Sequence, residues 1–160
     1  VYKGWHTDTA WTVIVDNGGQ APAFGGKQDK FLAIGEESMW KGVTQAREGK
    51  RIGDIASAMQ TVIEGAGYSV VRSLVGHGVG RSAHEEPEIP GYGKPGTGIK
   101  LKAGMTLAIE IIYTAGDHQV YTKEDNWTIA TEDGSLAGLF EMTVIVGKKT
   151  PEVMTDWRKV

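Results

Sequence analysis

The chain has 160 residues and a mass of 17.2 kDa, with 17 basic against 20 acidic side chains, a formal net charge of −3 and no cysteine. That length suits one domain rather than two, and 40% hydrophobic with 23% charged residues is a globular composition, not a disordered, collagenous or membrane one. The missing thiols exclude disulfide frameworks, Cys-ligated zinc and thiol catalysis, and the slightly acidic balance argues against a nucleic-acid surface built on Lys and Arg.

Taken in chain order, the aromatic and β-branched residues from Tyr2 to Val15 predict strand material, ended by a turn at Asp16-Asn17-Gly18-Gly19. Lys30 to Arg47 reads as a helix with Leu32, Met39, Trp40, Val43 and Ala46 on one face, although Gly35 and Gly42 interrupt it; Glu48-Gly49-Lys50 ends it. A clearer helix follows, in which Ile52, Ile55, Ala56, Met59, Val62, Ile63 and Ala66 recur at helical spacing until Gly65 and Gly67 stop it. Its apolar stripe needs a surface to cover. The runs Tyr68 to Val75, Thr106 to Thr114, Gln119 to Thr122, Trp127 to Thr131 and Leu139 to Val146 predict a sheet that provides one. Between Gly76 and Lys102, seven glycines and three prolines predict a long loop, and loops of that length in a compact domain usually carry function. No apolar run reaches the roughly 18 residues of a membrane-spanning helix. The chain opens on Val1, and its first residues read as neither a start nor a signal peptide.

Two carboxylates stand where apolar residues are expected. Glu110 interrupts Met105 to Tyr113, and Glu141 interrupts Leu139 to Val146. An ionised carboxylate inside such a strand is costly unless a cation or hydrogen-bond donors meet it. Each alone admits a plainer reading, as an edge-strand residue facing water or as half of a structural ion pair. Together, with few cations on the nearby strands, they point to a shared metal. His77, flanked by Gly76 and Gly78, is expected in the open at a strand end, where the glycines allow the backbone an unusual path. Asp8 alternates with His6, so the two are expected on one strand face. Taken singly, His77 reads as a loop residue and Asp8 as a polar strand residue. One histidine and three carboxylates make an oxygen-rich donor set suited to Mn, Fe, Co or Zn, and paired carboxylates can bridge two ions about 3.5 to 4 Å apart.

The runs from Gly76 to Pro87, Gly104-Met105-Thr106 with Ile109-Glu110, Asp125 to Thr128, and Phe140-Glu141-Met142-Thr143 resemble those of the type I methionine aminopeptidases in order and spacing over nearly the whole chain. The resemblance implies the pita-bread fold, an α+β arrangement of a curved antiparallel sheet with helices. It also implies two divalent ions (Co, Mn, Fe or Zn), with Asp8 and Glu141 bridging them and His77 and Glu110 completing the coordination of one. His84 would contact the substrate and stabilise the tetrahedral intermediate. Glu110 would shuttle the proton, and Trp127 would line the methionine pocket. Without the resemblance, His84 reads as a surface loop residue and Trp127 as core. His6 would support the site from behind the ligands, and His118 reads as a turn residue. The implied activity is removal of N-terminal methionine from nascent chains by dinuclear-metal-assisted peptide hydrolysis, with metal-bound hydroxide as nucleophile, in the cytoplasm.

Some features depart from the family's pattern. A further metal-binding aspartate would fall just before Val1, so residues 1–160 read as a single, incomplete catalytic domain. Its N-terminal half would be missing and is expected upstream or on a second chain. Ala83 stands where many relatives carry a larger apolar residue, and Ile111 where many carry proline. The alternatives are a peptidase of the Xaa-Pro aminopeptidase or prolidase type and a non-enzymatic pita-bread binding module. The first is disfavoured by the Gly-His-Gly and His-Glu-Glu-Pro context. The second is disfavoured by the intact set of Asp8, His77, Glu110 and Glu141.

Overall fold

The computed structural model describes residues 1–15 and 26–156. The turn expected at 16–19 lies outside the described residues. Along the chain come β1 (Ala10–Trp11), α1 (Lys27–Val43), α2 (Ile52–Gly65), β2 (Ser69–Val70), β3 (Gly76–Gly78), β4 (Glu85–Ile89), β5 (Thr106–Thr114), β6 (Val120–Thr122), β7 (Ile129–Thr131), β8 (Ala137–Ile145) and β9 (Glu152–Val153).

The two nine-residue strands β5 and β8 form the axis of the molecule. They pair antiparallel without a break, from Thr106 opposite Ile145 to Thr114 opposite Ala137. The rest of the sheet is built outward in the order β1-β8-β5-β3-β4, with β2 sharing the edge of β5 and β9 sharing the edge of β8. β6 and β7 form a separate hairpin.

Strand alternation gives this sheet two faces of different chemistry. Leu107, Ile109, Ile111 and Tyr113 of β5, with Phe140, Met142 and Val144 of β8, are buried in a single core with Met39, Ile55, Met59 and Ile63 of the helices. Burying side chains of this size contributes about 1.5–3 kcal/mol each. Gly35 and Gly42, which interrupt the apolar pattern of α1, are where that helix approaches the sheet. A Cβ at Gly42 would lie 2.6 Å from Met59 Cγ, and one at Gly35 would strike the Tyr113 ring. The Tyr113 hydroxyl reaches past Gly35 and donates to the Phe31 carbonyl at 2.6 Å. The opposite face carries Ala108, Glu110, Ile112, Leu139, Glu141 and Thr143 and has no helix on it among the described residues.

Several expected boundaries shift. The strand expected from Tyr2 to Val15 forms only at Ala10–Trp11, and that expected from Tyr68 to Val75 only at Ser69–Val70. The stretch from Gly76 to Lys102 is not one long loop, because β3 and β4 pair within it. α1 ends at Val43, before the expected stop. The differences in the strands share a cause: pairing depends on which backbone groups a distant strand leaves unfilled, and residue type does not encode that. No helix among the described residues is long and apolar enough to cross a membrane.

Met59 is fully buried between α1 and the sheet. Met59→Ala is expected to lower stability by about 2–5 kcal/mol in chemical denaturation; a loss below about 1 kcal/mol would contradict this packing.

Candidate metal centre

Glu110 and Glu141 stand directly opposite each other in the β5–β8 register. They lie on central strands rather than on an edge facing water. β3 adds the third donor: His77 pairs with Ala108, two residues from Glu110, so its side chain shares the face of the two glutamates. The backbone at the glycines flanking His77 is irregular, with a shift of register against β4 between Gly76 and Gly78, although neither is in the left-handed region. Their role is steric. A Cβ at Gly76 would lie 2.6 Å from the Ala108 carbonyl oxygen, and one at Gly78 would collide with the Glu86 backbone. Only glycine lets β3 fit between β5 and β4. His77 is consequently buried, at 7% exposure, and not in the open as expected.

Asp8 and His84 close the site from the other side. His77 Nδ1 lies 2.9 Å from the Gly78 carbonyl, which accepts only, so the proton belongs on Nδ1 and the Nε2 lone pair is left for the site. Nε2 faces Asp8 Oδ2 at 3.9 Å. The exposed His84 packs its ring against His77 with centroids 4.1 Å apart. Ligand atoms of His77, Glu110 and Glu141 all lie within 4.8 Å of one another, as do those of Asp8, His77 and His84.

Burial drives the Glu141 carboxyl up to about 8, helped by the charges of Glu110 and Asp8. Burial, followed by the charge of Asp8, brings Glu110 up to about 7. Among the described residues no lysine or arginine forms an ion pair with any of the three. Converging carboxylates and an imidazole held as a lone-pair donor, without a side-chain cation, fit a hard to borderline divalent ion.

The remaining candidates fall outside both ligand groups. The His6 N–H donates to the Gly80 carbonyl at 2.8 Å, and its Nδ1 lies 3.2 Å from the same oxygen. His6 thus ties the N-terminal segment to the loop before His84. His118 contacts Asp117 at 2.9 Å in the connection after β5. Trp127 is 85% exposed and is not a core residue. It stands at the rim of a cavity of about 470 Å³ lined also by Val71, Leu74, Ile112 and Leu139. Ile112 and Leu139 are the register pair on the glutamates' face next to Glu110 and Glu141, so the cavity adjoins the carboxylates. Thr143 had no role assigned from sequence. Its hydroxyl bonds both backbone groups of Asp8. The available signal was its place two residues beyond Glu141 in an otherwise apolar strand.

Metallopeptidase family M24 matches residues 1–148. The chain belongs to this family. It is 43% identical over 153 residues to the methionine aminopeptidase of Clostridium perfringens, covering 96% of this chain and 59% of that protein. The crystal structure of methionine aminopeptidase from Thermotoga maritima superposes with a TM-score of 0.87 at 41% identity, over 96% of this chain and 59% of that one. The M24 chain described here therefore spans about 59% of the length of these relatives. A prolidase from Pyrococcus furiosus shares the fold at 23% identity, with a TM-score of 0.71 over 98% of this chain and 39% of that one. The fold is the expected α+β pita-bread fold, and the resemblance to methionine aminopeptidases extends through nearly all of the chain.

The raised carboxyls link stability to pH. Folded values of about 7 and about 8 lie above the ordinary glutamate value of 4.5, so between these limits the folded chain binds more protons than the unfolded one. Their contribution is complete below the unfolded pKa and is lost as pH rises through the folded values. With metal removed by a chelator, urea midpoints should fall from about pH 5 to about pH 8.5, and Glu141→Gln should flatten the decline. A flat wild-type profile would contradict the burial of the pair.

Proposed function

We propose that this M24 chain carries the metal-binding and catalytic side chains of a methionine aminopeptidase that removes N-terminal methionine by metal-assisted peptide hydrolysis. The observation that carries this reading is the facing pair Glu110 and Glu141, joined by His77 and Asp8 and lacking a side-chain cation among the described residues. Asp8, His77, Glu110 and Glu141 would hold two divalent ions. Bound there, the ions would supply Lewis acidity that polarises a carbonyl and makes water a stronger nucleophile.

The chain's own groups do the rest. Glu110 takes the proton from the attacking water and delivers it to the departing amine. His84 is exposed and held against the His77 ring, so an incoming peptide can reach its imidazole N–H, which donates to the oxygen that gains charge. The cavity lined by Ile112, Leu139 and Trp127 beside the glutamates offers apolar walls to an unbranched thioether side chain. Ala83 leaves the loop before His84 with a small side chain, which widens the approach to the site.

With Mn²⁺ or Co²⁺ supplied, Met-Ala-Ser is expected to lose its methionine while Xaa-Pro peptides remain uncut. His84→Ala should lower kcat by about 10²–10³-fold, the usual loss for one donor to a developing oxyanion. Hydrolysis of Xaa-Pro peptides alone would instead assign the prolidase-type reaction. Absence of metal uptake would sink the metal-centre reading and assign the non-enzymatic binding module.

A further inference from the structure

We propose that Thr143 is a positioning residue for this centre: its buried hydroxyl holds the backbone of Asp8 over the carboxylate face of the sheet. This sets where the Asp8 carboxylate stands relative to His77 and Glu141. The proposal rests on the reading of Asp8 as a metal ligand.

The argument begins with the edge of β8. β1 pairs with β8 at Ala10 opposite Glu141 and Trp11 opposite Phe140. Continued by two residues, that ladder would set Asp8 opposite Thr143. The ladder does not continue, because the edge passes there to the C-terminal segment. Val144 and Ile145 pair with β9, the Thr143 N–H donates to Thr155 Oγ1 at 3.0 Å, and the Thr143 carbonyl accepts from the Met154 N–H at 2.9 Å. The backbone groups that would have received Asp8 are taken.

The side chain of Thr143 stands in for them. The Asp8 N–H donates to Thr143 Oγ1 at 2.8 Å, and Oγ1 donates in turn to the Asp8 carbonyl at 2.7 Å. One hydroxyl thus uses its acceptor and its donor on the two backbone groups of one residue. By alternation the Thr143 side chain lies on the face that carries Glu141, so Asp8 is drawn out of the plane of the sheet and over that face. The chain then runs on to His6, which bonds Gly80 beyond β3. Since β5 lies between β8 and β3, residues 6–8 cross above it, and this crossing brings Asp8 to His77. Thr9 reinforces the anchor by donating to the Glu141 carbonyl at 2.9 Å. Thr143 itself is fully buried, so its hydroxyl is fixed in a way that a solvent-exposed group would not be.

Thr143→Val keeps the shape and removes the hydroxyl; Thr143→Ser keeps the hydroxyl. Without added metal, the Asp8 amide should lose hydrogen-exchange protection by NMR in the Val variant and keep it in the Ser variant. In Mn²⁺ titration calorimetry the Val variant should bind about 10- to 100-fold more weakly, the loss usual when a group that orients a ligand is removed, with Ser close to wild type. In an Asp8→Asn background the Val substitution should have no further effect. Thr143→Ala supplies the same test if Val prevents folding. An Asp8 amide still protected in the hydroxyl-free variant, or an equal loss of affinity with and without Asp8, would overturn the proposal. An Asp8→Asn chain that binds Mn²⁺ as tightly as wild type would overturn the ligand reading of Asp8 instead, with the exchange result still reporting on the Thr143 contact.

Discussion

The structure is organised around one unfavourable contact, two glutamates placed face to face on adjacent central strands. Like charges directly opposite each other destabilise an antiparallel pair, and burial raises the cost of ionising either one. The sheet does not relieve this contact. It concentrates it, with Asp8 brought over the same face and no lysine or arginine paired to any of the three among the described residues. A protein keeps such an arrangement when a divalent ion completes it, because binding the ion releases the protons that burial imposes.

The two faces of the sheet divide the labour. The helix-side face is dense and apolar, with Tyr113, Phe140 and Met142 locked under α1 and α2, and that packing fixes β5 and β8 in register. The opposite face inherits its geometry from the same two strands, since a residue and its neighbour in sequence point to opposite sides. Glu110 stands against Glu141 because Ile109 and Ile111 are held in the core on the other side. Glycines serve the same end at Gly76 and Gly78, where only a missing Cβ lets His77 ride on a strand wedged between two others.

Much of the fold was legible in sequence where a long apolar pattern carried the signal: α2, β5 and β8 appear within a residue or two of their expected spans. Short edges were not. Of the strand expected from Tyr68 to Val75 only Ser69–Val70 pairs, and Glu152–Val153 is a strand through the backbone groups that β8 offers. In the site, charged residues inside apolar runs marked Glu110 and Glu141 without any structure, and the structure brings His77 to them, with Asp8 and His84 against His77. Thr143 carries no such mark, because a threonine in a strand is ordinary by propensity and its two bonds to Asp8 span 135 positions of sequence.

By itself, then, the sequence determined the family and its α+β class through the order of its motifs, and the long central strands and the residues whose charge makes no sense without a cation through periodicity and misplaced charge, which are local properties of the chain. Only the tertiary structure decided that the two glutamates are a register pair, that His77 is buried rather than open, that Trp127 is exposed beside the carboxylate face, and that Asp8 arrives over the sheet through a side-chain hydroxyl. Each of these depends on which strand lies beside which, and that is settled when the core packs.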